Sequence, residues 1–198
     1  MRELSLHILD IAENGITAGA DCIHIFVNES RSDDRLKIKI GDNGSGLPPE
    51  KLDKLADPFV TTRTTRRVGL GLSLLAAAAQ RCEGELTVET EPGKGTEVVA
   101  TFRYNHIDRA PLGDMASTIT TLIMGNPDID FVYTHIIDEN DFSLDTREIK
   151  KEMEDLSLSD PMVIHHLTES IRRSLRQLEA SEDKTETRED TDGKTDNR

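Results

Sequence analysis

The chain has no tryptophan, and aromatic residues of every kind make up only 4% of it. A core without large rings must be filled with aliphatic side chains, yet hydrophobic residues reach only 35%. Part of the shortfall is local, because residues 181–198 contain no aliphatic residue. Cysteine is equally scarce. Cys22 and Cys82 lie far apart and fit no metal-ligand spacing. They read as free thiols of a reducing compartment, acting as small buried hydrophobes rather than catalysts. No apolar run approaches the roughly 20 residues that a membrane span needs. The N-terminus lacks the pattern of a signal peptide, so the expected location is cytoplasmic. Positive charge is in deficit too: 24 Lys and Arg stand against 38 Asp and Glu, for a net charge of -14 and a pI of about 4.8. Such a surface repels phosphodiester backbones and anionic lipids, which argues against nucleic acid as a partner.

What is present has a clear order. A length of 198 residues fits one domain, or a domain with a small appendage. Residues 3–18 place Leu4, Ile8, Ile11 and Ala12 near one helical stripe. Residues 22–28 and 36–40 alternate as strands, joined by a polar hairpin loop. Gly and Pro break residues 41–49, and a short helix is expected from Pro49 to the stop at Asp57-Pro58. Residues 60–68 interleave Thr61, Thr62, Thr64 and Thr65 with Arg63, Arg66 and Arg67, have little to bury, and read as a mobile loop. An alanine-rich helix is predicted over 71–82 and strands over 86–90 and 97–103.

Beyond Asn105 the pattern predicts a helix over 111–124 and a hairpin from 130–137 and 142–144. A short charged helix over 146–155 follows, then a helix from Pro161 to about Ala180. Ile164, Leu167, Ile171, Leu175 and Leu178 form one apolar stripe on that last helix, expected to pack on the core, with a homodimer or a docked partner as its other uses. Residues 181–198 cannot offset their ordering entropy by burial and are expected to be a disordered acidic tail. The division is therefore 1–104, an α+β extension over 105–180, and 181–198.

Four short segments carry chemistry. Asp10 and Asn14 are four residues apart and share a helix face. A carboxylate and an amide oxygen together suit a hydrated Mg²⁺, or a solvated polar surface. Asp42-Asn43-Gly44-Ser45-Gly46 follows a strand, where a carboxylate can accept a hydrogen bond from an exocyclic amine and Gly44 and Gly46 let backbone approach a flat ring. Gly69-Leu70-Gly71-Leu72 opens a helix whose free N–H groups favour phosphate, or it is an ordinary loop-to-helix junction. Gly93-Lys94-Gly95-Thr96 forms a turn between strands.

In this order the four segments resemble the nucleotide pocket of the GHKL superfamily, which includes histidine kinases, anti-sigma-factor serine kinases, DNA gyrase and the mismatch-repair ATPases. The resemblance covers about the first 103 residues. It implies a two-layer α/β sandwich with a mixed sheet, and MgATP held between helices and a lid. It implies Asn14 as the Mg²⁺ ligand, Asp42 on the adenine amine, and Gly44 and Gly46 near the base. Gly69, Leu70, Gly71, Leu72 and Thr96 would line the phosphates. Residues 60–68 become the lid, with Thr61 and Thr62 as nucleotide contacts and Arg63 near the γ-phosphate. Asp10 stands where gyrase-like ATPases and anti-sigma-factor kinases carry a Glu base and histidine kinases an Asn. Residues 14–20 resemble the mismatch-repair ATPases in particular.

Two departures shape the functional expectation. No room precedes residue 10 for a phosphoacceptor hairpin, and residues 105–180 are too few for the transducer domain of gyrase and its relatives. His7 reads as a pocket-wall or packing residue, and His165-His166 carry no assigned role. The expected function is a stand-alone cytoplasmic ATP-binding regulator, a kinase acting on a partner protein. A slow ATPase switch and a non-catalytic accessory subunit are its competitors.

Overall fold

In the computed structural model, residues 3–46, 70–153 and 157–189 are described. Helix α1 (Leu4–Thr17) buries Leu4, His7, Ile8, Ile11, Ala12 and Gly15 along the stripe that the periodicity predicts. Its N-cap, Glu3, makes no side-chain cap bond. The first amides are instead satisfied by a distant segment: Leu4 N donates to Pro111 O at 3.0 Å and Ser5 N to Leu112 O at 2.8 Å. Strands β1 (Cys22–Ser30) and β2 (Arg35–Asp42) alternate as expected, burying Ile23, Ile25 and Val27 on one and Leu36, Ile38 and Ile40 on the other. Helix α2 (Leu70–Arg81), β3 (Leu86–Glu91) and β4 (Gly95–Arg103) complete the first half.

The chain continues as α3 (Met115–Gly125), β5 (Asp130–Ile137), β6 (Asn140–Asp145), α4 (Thr146–Glu152) and α5 (Pro161–Glu189). All six strands form one sheet in the order β3-β4-β2-β1-β5-β6. β5 runs parallel to β1 from Cys22↔Asp130 to Glu29↔Ile137, and every other pairing is antiparallel. The segment after Asn105 therefore continues the sheet begun by the first half. The helices gather on the face formed by Ile23, Ile25, Ile38, Val98, Ala100, Phe102, Phe131 and Tyr133. On the other face Lys37, Lys39 and Phe26 are only half-buried and His24 is exposed. This is the mixed-sheet α/β sandwich that the sequence led us to expect.

Two helix boundaries differ clearly from the sequence reading. Helix α3 starts at Met115 rather than Pro111, because the Pro111 and Leu112 carbonyls are engaged by α1 and Gly113 has a φ of +90°. Asp114 then caps the helix by accepting from Ser117 N at 2.9 Å. Helix α5 extends nine residues beyond Ala180 into the stretch expected to be disordered. Glu182, Lys184, Glu186 and Arg188 are all good helix formers, which charge density alone did not weigh. The remaining tail, 190–198, lies outside the described residues.

The α5 stripe packs within the molecule. Ile171 and Leu178 are buried, with Ile164, Leu167 and Leu175 half-buried against the core. Arg172 Nη2 reaches Asp114 Oδ2 and Ser117 Oγ, both at 2.8 Å, tying α5 to α3. Both cysteines are free thiols; Cys82 is buried and Cys22 partly so.

Candidate functional site

Helix α1 meets the end of β2 with no room to spare. A Cβ added to Gly15 would stand 2.7 Å from Asp42 Cβ and 3.0 Å from both Asp42 Cγ and Ile23 Cδ1. Glycine at this place lets the face carrying Asp10 and Asn14 close on Asp42, a reason that offsets its cost of roughly 0.5–1 kcal/mol inside a helix. Asp42 is the last residue of β2 and is half-buried. Its Oδ1 accepts from Gly44 N at 2.9 Å, an Asx turn that sets the side-chain rotamer. Among the described residues no hydrogen bond engages Oδ2.

The N-terminus of α2 closes the second side. A Cβ on Gly71 would overlap Asp10 Oδ2 outright, so the two helices touch where Asp10 sits. His7, one turn earlier on α1, is 4% exposed. Burial holds its imidazole below the usual histidine range, against the opposing pull of Asp10. Its Nδ1 finds no partner among the described residues. The third side is the β3–β4 turn. Thr96 pairs with Asp42 in register, and Thr96 Oγ1 lies 3.1 Å from Thr90 Oγ1. Gly46 lies against Glu91 O, and Gly93 N donates to Ser45 O at 2.8 Å. Four segments scattered along the sequence thus meet at one place.

That arrangement has relatives. The family model for histidine kinase-, DNA gyrase B- and HSP90-like ATPases matches residues 2–106. The chain belongs to this family. Sporulation kinase E of Bacillus subtilis is 37% identical over 95 residues, covering 48% of this chain and 13% of that protein. Sensor protein kinase FleS of Pseudomonas aeruginosa is 37% identical over 105 residues, covering 53% of this chain and 25% of its own length. This chain thus matches a quarter or less of either relative. Among solved structures, the N-terminal domain of a DNA repair protein superposes with a TM-score of 0.50 at 18% identity, covering 73% of this chain and 53% of that one. At that identity the likeness concerns the fold.

Within this histidine kinase-like ATPase, Asp10, Asn14, Asp42, Gly44, Gly46, Gly71, Leu72 and Thr96 all lie on the elements that converge here. Leu70 is the first residue of α2. Thr61, Thr62, Arg63, Arg66, Arg67 and Gly69 lie outside the described residues, as does the short helix expected from Pro49. His165 and His166 are exposed on α5, away from these elements. Sequence reasoning missed Asn43, whose side chain bonds the start of β1. It also missed a buried chain at the far end of that strand: Tyr133 Oη lies 2.7 Å from His135 Nδ1, and His135 Nε2 lies 2.8 Å from Glu29 Oε1. Alternation flagged neither, since the Asn43 contacts and the His135–Glu29 contact depend on which segments become neighbours.

The contact at Gly71 gives a direct test of Asp10. An added methyl there meets the mobile end of a side chain rather than backbone, so the fold should lose only about 1 kcal/mol. The Asp10 carboxylate must nevertheless turn away. Gly71→Ala should therefore lower any ATP turnover that uses Asp10 about as much as Asp10→Asn does, by roughly 10²-fold for a displaced acid–base group. Single-turnover rates beside urea midpoints would check this. Full turnover in Gly71→Ala would remove Asp10 from the chemistry.

Proposed function

We propose that this chain is a cytoplasmic regulator that binds MgATP and transfers the γ-phosphate to a Ser, Thr or His of a partner protein. The observation that carries the reading is the approach of α1 to Asp42 across Gly15. It brings a base-reading carboxylate and an oxygen-ligand pair into one site. The Asp42 carboxylate only accepts hydrogen bonds, so it suits the exocyclic amine of adenine. Gly44, buried against Ala18 O, lets the turn after Asp42 close on the end of α1 beside that carboxylate. The Asn14 amide oxygen and the Asp10 carboxylate suit Mg²⁺, which prefers oxygen donors and keeps several waters. Mg²⁺ would neutralise phosphate charge there. Asp10 would orient the attacking group or hold its proton. The amides at the start of α2 would face the phosphates. Kinship with sporulation and sensor kinases favours phosphate transfer over release.

A second reading has its own support. Helix α1 carries Asp10 and Asn14, and its first amides are bonded to Pro111 and Leu112 of the second half. A shift of α1 on nucleotide binding would reach that half, as in an ATP-driven switch. One experiment separates the readings. The purified protein is incubated with γ-labelled MgATP in a cytosolic extract of its source, beside Asp42→Asn. The expected result is label on a discrete protein, absent with Asp42→Asn, whose ATP affinity should fall about 10- to 100-fold for a lost charge-assisted bond. Label only as free phosphate would make the chain a switch. Tight binding without turnover would make it an accessory subunit.

A further inference from the structure

Asn43 is exposed, yet its carboxamide makes three hydrogen bonds. Its Oδ1 accepts from Asp21 N and Cys22 N, both at 3.0 Å, and its Nδ2 donates to Asp21 Oδ1. Only this orientation of the amide satisfies two N–H donors and one carboxylate acceptor. An exposed side chain that makes three bonds is clamping backbone, not greeting solvent. The clamp joins the residue after Asp42 to the start of β1. A second strap lies beyond it, where Ser45 N donates to Ala18 O at 2.9 Å. On the other flank, Gly95 packs against the Asp42 carbonyl and Asn43 Cα. Asp42 thus hangs from a backbone held on both sides, with Oδ1 committed to Gly44 N and Oδ2 without a hydrogen bond among the described residues.

A carboxylate discriminates between bases only if it stays in place. A 6-amino base donates to it, and a 6-oxo base opposes it with a second acceptor. A carboxylate free to swing meets water instead and loses both the attraction and the repulsion. We infer that Asn43 is a specificity-determining positioning residue, which holds Asp42 so that the site takes a 6-amino and rejects a 6-oxo purine nucleotide. This rests on the reading of Asp42 as the base contact. Asn43 itself need not touch the nucleotide.

The test compares dissociation constants for ATP and ITP, which differ in the 6-substituent and, with it, in the proton that ITP carries on N1. Wild type should prefer ATP, as a site built for a hydrogen-bonded group rejects the analogue lacking it. Asn43→Ala should reduce the ITP-to-ATP ratio of dissociation constants at least tenfold, mainly by weakening ATP. In Asn43→Asp with Asp21→Asn the donor and acceptor exchange places and the three bonds can re-form, so the ratio should return. A purely structural role predicts equal weakening of both nucleotides, with the ratio intact, and that result overturns the inference. So does a double variant that is folded by circular dichroism yet fails to restore the ratio. Asp42→Asn is measured alongside. If it too leaves the ratio intact, the base-contact reading has failed and takes the inference with it. If it abolishes the ratio while Asn43→Ala keeps it, the inference alone has failed.

Discussion

A chain ended at residue 106, where the family match stops, should fail to fold. Truncation there removes β5, leaving β1 as an open edge along the ladder from Cys22 to Glu29. It removes the carbonyls of Pro111 and Leu112 that satisfy the first amides of α1. It also removes Met115, Ile119, Leu122, Ile123, Phe131, Tyr133 and Ile171 from the common core, all at most 2% exposed. Each such side chain contributes about 1.5–3 kcal/mol by burial. Their loss, together with the surface they leave uncovered, exceeds the roughly 5–15 kcal/mol by which a domain is stable. An unpaired hydrophobic edge strand is moreover an aggregation template. Far-UV circular dichroism and a urea titration of residues 1–106 would decide. A cooperative transition near the full-length midpoint would show that the second half is an appendage rather than part of the core.

Gly95→Ala should be the most damaging single substitution at the site. Gly95 has a φ of +104°, where an L side chain is strained at a cost of about 1–3 kcal/mol. Its new Cβ would overlap the Asp42 carbonyl and stand 2.8 Å from Asn43 Cα. Both neighbours are backbone and cannot turn aside, so overpacking adds roughly 1–3 kcal/mol. The strain falls on Asp42 and Asn43, to which the proposed base contact is assigned, and nucleotide affinity should fall with stability. Gly93→Ala is the matched control. Its φ is +77°, but nothing lies within 4 Å of the added Cβ, so only the backbone cost applies and nucleotide binding should survive. Urea midpoints and ATP dissociation constants for the pair would test this. Equal losses in both variants would mean that backbone strain alone, and not contact with Asp42, accounts for the effect.

Much of the site was legible because its parts are local. Asp10 and Asn14 share a face through helical spacing, Asp42 ends an alternating strand, and Gly71 opens an alanine-rich helix. Element type was legible wherever a period repeated, as in α1, β1, β2 and α5. Boundaries failed where an outside partner intervened. Nothing in residues 111–114 shows that α1 will claim two of their carbonyls. The Asn43 clamp reads in sequence as a generic turn residue, because its partners lie 21 and 22 positions away.

The amino-acid sequence by itself determined the four motifs, their order and the helix, strand or turn that bears each one. These follow from side-chain periodicity and from residues whose chemistry is used within a few positions. Tertiary structure alone decided that the second half completes the sheet beside β1, and that Gly71 and Gly95 each mark a close approach of two segments. It alone decided that Tyr133, His135 and Glu29 form one buried chain. These are contacts between strands and helices distant in sequence, selected by which apolar faces bury one another. No local pattern encodes them, because burial depends on the partner surface as much as on the residue.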